Sequence, residues 1–128
     1  MFIDTDGTQT HYDAVSCILG LKPYSDHDSE HEDFKTWMYL VQQGEDDPYY
    51  DFINNFLDLL EPRLNALAAI GITNKDILFW LVYEYEHQCA MFFEPQQMQR
   101  LGQQGIYLNI DCREILRSEP KSIEQAVI

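Results

Sequence analysis

The sequence predicts an α+β fold: a two-layer sandwich in which helices pack on one face of a largely antiparallel sheet of four to five strands. Two observations lead to it. Residues 77–95 form the most apolar run of the chain and are rich in Phe, Trp, Val and Tyr, which favour strands. The predicted elements follow neither a steady β-α-β alternation nor a series of hairpins, and such a mixed order is typical of α+β domains.

The length of 128 residues is that of one domain with its own core. We assign residues 1–116 to a single domain and residues 117–128, where the periodicity is weak, to a C-terminal tail. No apolar run reaches the roughly 20 residues of a membrane helix. The first residues lack the basic start and apolar stretch of a signal peptide. We therefore expect a cytoplasmic protein with no membrane contact.

The first third of the chain predicts a strand, a helix and a loop. Residues 1–5 suit a short edge strand. Thr10 followed by Asp13 resembles the capping box of a helix, and Gly20 is well placed to end that helix in a left-handed conformation. The polar segment 24–33 has no periodicity, so we interpret it as a long loop.

The middle of the chain predicts a second strand and a long helical element. Residues 34–42 alternate in the manner of a strand, and Asp47-Pro48 is a typical helix start. Residues 49–71 show apolar positions at helical spacing. Pro62 interrupts them, which predicts two nearly collinear helical segments.

The last third carries the strongest strand pattern. Residues 77–86 predict a long strand, 89–93 a further strand after a turn, and 94–105 a short helix that starts with Glu-Pro and is closed by glycine. Residues 106–113 alternate as a final strand. Its inward positions are expected to be Ile106, Leu108, Ile110 and Cys112.

The charge is strongly acidic, with 22 acidic and eight basic side chains and a net charge of −14. The first 62 residues hold 14 of the acids but only two bases, Lys22 and Lys35. Such a field repels a phosphate backbone and attracts a basic protein. We therefore expect no direct nucleic-acid binding and a basic protein partner, although the acids could equally serve solubility alone.

The three cysteines, Cys17, Cys89 and Cys112, are widely spaced and odd in number. This pattern indicates reduced, buried thiols rather than a disulfide framework or a zinc site.

Several short motifs resemble the bacterial family known as domain of unknown function 4279. They are the run from Ile18 to Pro23, Trp37 in the second strand, Leu60-Glu61-Pro62, and the final strand from Gly105 to Asp111. The resemblance extends over residues 2–114. It implies a fold and carries no catalytic residues. The acidic segment after Pro23 departs from the basic or glycine-containing segment that the resemblance implies there.

Two sets of side chains are candidate sites. The first is an acidic face with an aromatic residue, suited to a basic protein; it comprises Asp26, Asp28, Glu30, Glu32, Asp33, Trp37, Glu45, Asp46 and Asp47. The alternative for Trp37 is that it fills the uncovered side of the sheet. The second set is Glu84, Glu86 and His87 at the end of the long strand, where paired carboxylates could serve acid–base chemistry or bind a small molecule. A solvated strip is the simpler interpretation of that pair.

His27 and His31 lie four residues apart among acidic side chains and could bind a metal ion. A solvated acidic loop is the stronger interpretation of this segment, so we expect no metal and no other cofactor. No nucleophile motif or phosphate-binding loop is present. The leading hypothesis is a non-enzymatic interaction module, of the inhibitor or immunity kind, that binds a basic protein. A small-molecule-binding or enzymatic domain with its site near Glu84, Glu86 and His87 is the alternative. Self-association through Trp37 and Trp80 is compatible with either.

Overall fold

The protein forms one four-stranded mixed sheet with helices packed against it, in a computed structural model that describes residues 1–25, 34–44 and 46–115. The strands are β1 (Phe2–Asp4), β2 (Thr36–Met38), β3 (Ile77–Tyr85) and β4 (Tyr107–Glu114). The helices are α1 (Gln9–Leu19), α2 (Phe52–Leu60), α3 (Leu64–Ala69) and α4 (Pro95–Gln104). The predicted α+β fold is confirmed.

The strand order is β2-β1-β3-β4. β1 pairs antiparallel with both β2 and β3, so two of the three pairings are antiparallel as expected. The pairing of β3 with β4 is parallel and is the longest, running from Leu78↔Tyr107 to Tyr85↔Glu114. A parallel pair needs a crossover connection, which α4 supplies between these two strands.

The hydrophobic core lies between one face of the sheet and the helices. Ile3 of β1 stands between Trp37 of β2 and Ile77 of β3, and all three are buried. α2 packs on this layer through Phe56, whose ring centroid is 5.5 Å from that of Phe79. The helices therefore cover the sheet face that holds the odd-numbered residues of β3.

Local signals set several boundaries. Gly20 adopts the left-handed conformation, with φ of 66°, and ends α1 as predicted. Pro62 lies in a short 3₁₀ turn, Glu61–Arg63, that separates α2 from α3. The predicted start of α1 is wrong by two residues: Thr8 rather than Thr10 is the N-cap, because its hydroxyl accepts the backbone N–H of His11 at 3.1 Å.

Two predicted strands differ from the structure. β2 has three residues rather than the whole of 34–42, because its partner β1 is equally short. Residues 89–93 form no strand. β4 occupies one edge of β3 along its length, and the chain turns at His87, whose φ is 64°, before it runs to α4.

The far ends of β3 and β4 extend past the helices. Ile110 and Cys112 were expected to point into the core, but Ile110 is 38% exposed and Cys112 is also exposed. Cys17 is exposed and Cys89 is half-buried, so the prediction of buried thiols is wrong. Ile110 and Cys112 are exposed for the same reason: the alternating pattern of β4 continues into a part of the sheet that no described helix covers.

None of the helices in the described ranges has the length and apolar character needed to cross a membrane. The predicted tail, 117–128, lies outside the described residues.

Candidate functional site

A cavity of about 620 Å³ opens where the sheet extends beyond the helices. The first half of β3 is covered by α2, and Leu81 and Tyr83 in its second half are half-buried and line the cavity. The cavity lies between these residues and the N-terminal ends of α2 and α4. Its walls are residues 47–52, 81–83 and 90–94, with Gln43 and Gln97 completing the lining.

Aromatic rings make up much of the cavity wall. They are Tyr49, Tyr50, Phe52, Tyr83, Phe92 and Phe93. Phe52 is fully buried and meets Phe93 edge to face, with ring centroids 6.2 Å apart. Tyr49 and Phe92 are 68% and 81% exposed, which places them at the rim. The cavity therefore has a packed apolar base and two accessible aromatic side chains at its mouth.

Gln97 joins the N-terminal caps of two helices beside this base. Its side chain is only 4% exposed. The amide Nε2 donates to Oδ1 of Asp51, the N-cap of α2, at 2.8 Å. The amide Oε1 accepts the backbone N–H of Glu94, the N-cap of α4, also at 2.8 Å. Asp51 in turn accepts the backbone N–H of Asn54 at 3.1 Å. These bonds hold the Asp51 carboxylate in one orientation.

The cavity lining is acidic. Asp47, Asp51 and Glu94 contribute carboxylates, and no Lys, Arg or His is among the lining residues. Partial burial raises the pKa of Asp51, but hydrogen bonds from Asn54 and Gln97 outweigh it and leave that pKa below its usual value. Asp51 thus keeps its negative charge well into the acidic range.

The two helix N-termini oppose this charge only in part. Each contributes the equivalent of roughly +0.5 elementary charge, and the N-cap carboxylates of Asp51 and Glu94 already lie against them. Arg100 also acts on Asp51 from outside the lining, but its guanidinium is paired with Asp58 and Glu61, so the three carboxylates leave the cavity with a net negative charge. The pKa values of Tyr49 and Tyr50 are raised, first by burial, so both phenols stay neutral.

This combination of groups is suited to a cation. Carboxylates attract a positive charge directly, and aromatic faces attract it through their quadrupoles. An anionic ligand would meet repulsion from three carboxylates with no basic side chain of the lining to offset it. A cationic group on an apolar stem therefore fits both the charge and the walls of the cavity.

The structure describes only part of the first predicted site, the acidic face. Asp47 lines the cavity and Asp46 is exposed nearby, whereas the acidic residues of the loop and Glu45 lie outside the described residues. Trp37 requires a correction. It is 0% exposed and its Nε1 donates to Ser16 Oγ at 2.9 Å, so it is a core residue on the helix-covered face and no partner can reach it.

The second predicted site adjoins the cavity without lining it. Glu84 and Glu86 are half-buried and His87 is exposed. Tyr83, the residue before Glu84, does line the cavity. His27 and His31 fall outside the described residues, and within the rest of the chain no cluster of three or more metal-binding side chains occurs.

Sequence reasoning did not single out Asp51, Glu94 or Gln97 as site residues. Each carried a signal, because Asp51 precedes a helical pattern and Glu94-Pro95 with Gln97 forms a capping box. Those signals indicate helix starts, and the sequence does not show that the two helix starts meet.

The fold and the cavity define a small acidic α+β domain with an aromatic, carboxylate-lined cavity. Comparisons of the chain with protein-family models, curated proteins and solved structures found no match. The resemblance to domain of unknown function 4279 stays a prediction.

Proposed function

We propose that the protein is a non-enzymatic binding module for a basic protein, and that the cavity receives a cationic side chain of that partner. The observation that supports this most is the cavity lining, in which three carboxylates and six aromatic rings occur without a basic residue. Charge, shape and apolar character all suit a lysine or arginine side chain.

The cavity offers a separate contact for each part of such a side chain. Aromatic walls around Phe52 and Phe93 suit the methylene stem, and the carboxylate of Asp51, held by Gln97, suits the charged head. Tyr49 and Phe92 at the rim can close over the stem. A cation against an aromatic face contributes about 0.5–1 kcal/mol when exposed and about 2 kcal/mol or more when desolvated.

The net charge of the whole chain favours the same partner. A net charge of −14, concentrated in the first 62 residues, attracts a basic protein from a distance and speeds association. Most of this long-range attraction is screened at physiological salt, where the Debye length is about 8 Å. Association should therefore slow with salt more strongly than the cavity contact weakens.

A free organic amine is the second candidate ligand. The volume of about 620 Å³ lies inside the roughly 300–1,000 Å³ of small-molecule sites. Both ligands present the same chemistry, a protonated nitrogen on an apolar stem. A titration that compares a peptide with a free amine therefore distinguishes a protein partner from a small molecule.

Isothermal titration calorimetry at low salt tests the proposal with a lysine-rich peptide, the same peptide with acetylated lysines, and free butylammonium. We expect the charged peptide to bind and the acetylated peptide not to bind. Binding of the peptide alone supports a protein partner, and butylammonium binding of equal strength supports a free amine. Equal affinity for charged and acetylated peptides would refute a cation site.

Asp51→Asn and Asp13→Asn form a matched pair for the same titration. Both remove one negative charge, but Asp13 is exposed on α1, away from the cavity. Asparagine also remains a good N-cap at position 51. The loss of one charge-assisted contact should weaken peptide binding by roughly tenfold to a hundredfold. Asp13→Asn should change it less than twofold, and equal effects would show that only the overall charge matters.

A further inference from the structure

Cys89 and Cys112 lie close together although 23 positions separate them. Their Sγ atoms are 3.7 Å apart. Cys112 is exposed on β4, where it pairs in register with Tyr83, and Cys89 is half-buried in the segment between β3 and α4. Spacing along the chain gave no indication of this pair.

The turn after β3 brings the two residues together. The backbone N–H of Gln88 donates to the carbonyl of Glu86 at 2.7 Å, and His87 between them adopts a φ of 64°. This tight reversal directs the chain back along the sheet and places Cys89 beside β4. The contact between the thiols is therefore a consequence of the backbone path.

We propose that Cys89 and Cys112 are a redox modification site that forms a reversible intramolecular disulfide by exchange with a small-molecule disulfide. A disulfide bond is about 2.05 Å long, so the two sulfurs must approach by about 1.7 Å. Cys89 lies in a segment without regular secondary structure, where such a movement disturbs no helix or strand. The proposal does not depend on what the cavity binds.

Exposure favours Cys112 as the first nucleophile. Burial and the contact with Cys112 raise the pKa of the Cys89 thiol, which lowers its thiolate fraction. The Cys112 thiolate attacks the small disulfide, forms a mixed disulfide and releases one small thiol. Cys89 then loses its proton and attacks the Cys112 sulfur, which releases the second small thiol. The protein loses two protons and two electrons in total, and the small disulfide gains them and is reduced to two thiols.

Oxidation would fix one wall of the cavity. Ala90 and Met91 follow Cys89 directly and line the cavity, and the bond would tie their segment to β4. The same bond therefore offers a means of regulating access to the cavity.

The test incubates the full chain with oxidised glutathione, alkylates the remaining thiols and maps the peptides by mass spectrometry. We expect a cross-linked pair of peptides containing Cys89 and Cys112, about 2 Da lighter than the two reduced peptides together. Cys17, exposed on α1, is the internal control and should carry only glutathione or the alkyl group. Saturating modification of Cys89 and Cys112 as separate thiols, with no cross-linked pair, would overturn the proposal.

Single variants test the order of attack. Cys89→Ser should accumulate the mixed disulfide at Cys112, because the second thiol is missing. Cys17→Ser should form the Cys89–Cys112 bond as the unmodified chain does. Failure of Cys89→Ser to trap glutathione at Cys112 would overturn Cys112 as the first nucleophile.

Discussion

Replacement of Gln97 by leucine removes the side chain that joins the caps of α2 and α4. Leucine keeps a similar volume and a good helix propensity, so the change isolates the two hydrogen bonds. Asp51 loses the donor that holds its carboxylate, and the backbone N–H of Glu94 loses its acceptor. The variant therefore tests whether this buried amide organises the cavity.

The expected loss of stability follows from those bonds. A hydrogen bond to an ionised group contributes about 1.5–3 kcal/mol, and a neutral one about 1 kcal/mol. The additional apolar burial of leucine offsets about 1 kcal/mol. The free energy of unfolding of Gln97→Leu should thus fall by about 2 kcal/mol. Peptide binding should weaken too, since Asp51 is no longer held in one orientation.

Equilibrium unfolding in urea measures the change in the free energy of unfolding from the shift of the midpoint. Gln99→Leu is the matched control, because it makes the same chemical change at an exposed position of α4. The control should remain within about 0.5 kcal/mol of the unmodified protein. A Gln97→Leu value inside that same range would refute the structural role of the amide.

The related variant Gln97→Glu adds a pH dependence. A carboxylate beside Asp51 places two like charges in contact, so one of the two carboxyls keeps its proton and its pKa rises above the unfolded value. A raised folded-state pKa means that protonation restores stability. Gln97→Glu should approach the unmodified protein at about pH 4 and lose stability as the pH rises towards 7. Urea midpoints that show no greater deficit at pH 7 than at pH 4 would contradict this.

Two further predictions concern packing around the site. Arg100→Met removes two ion pairs of α4, one with Asp58 of α2 at 2.6 Å and one with Glu61 of the following 3₁₀ turn at 3.1 Å, and should lower the free energy of unfolding by about 1 kcal/mol, less in high salt. Hydrogen bonding from Arg100 holds the pKa of Glu61 below its usual 4.5, so the contribution is present above that pH and lost as the pH falls through the folded-state pKa. Trp37→Phe should be more destabilising than Trp80→Phe by about 1 kcal/mol. Nε1 of Trp37 donates a hydrogen bond to Ser16, which phenylalanine cannot make. Nε1 of Trp80 is buried without an acceptor among the described residues, so Trp80→Phe loses no such bond.

Urea unfolding at pH 7 and at pH 3 checks the Arg100→Met variant, and an effect of equal size at both pH values would contradict the ion pairs. Thermal unfolding of the two tryptophan variants checks the other prediction. Equal losses at Trp37 and Trp80 would show that volume rather than the hydrogen bond decides the cost.

The sequence predicted those elements whose signals are local. Gly20 ends α1 because glycine adopts the left-handed conformation readily, and Pro62 separates α2 from α3 because proline lacks an N–H. The long strand was expected at 77–86 and spans Ile77–Tyr85. Alternation of apolar residues over that length is a strong signal. It indicates a strand and one apolar face, and no more.

Strand pairing and the site required the tertiary structure. Residues 47–52, 81–83 and 90–94 come together at the cavity because α4 carries the chain from β3 to a parallel β4, and no local pattern encodes that path. Gln97 is one of several glutamines on α4 with the same propensities. It alone is buried, because it faces the N-terminus of α2.

The sequence by itself therefore determined the α+β class, the end of α1 at Gly20, the break at Pro62, the long strand and the acidic charge, which depend on local conformational preference and on composition. The tertiary structure alone decided that Trp37 lies in the core, that Cys89 lies beside Cys112 and that Asp51 and Glu94 share one glutamine. These are contacts between residues distant in the chain, and their free energy depends on packing that no single segment contains.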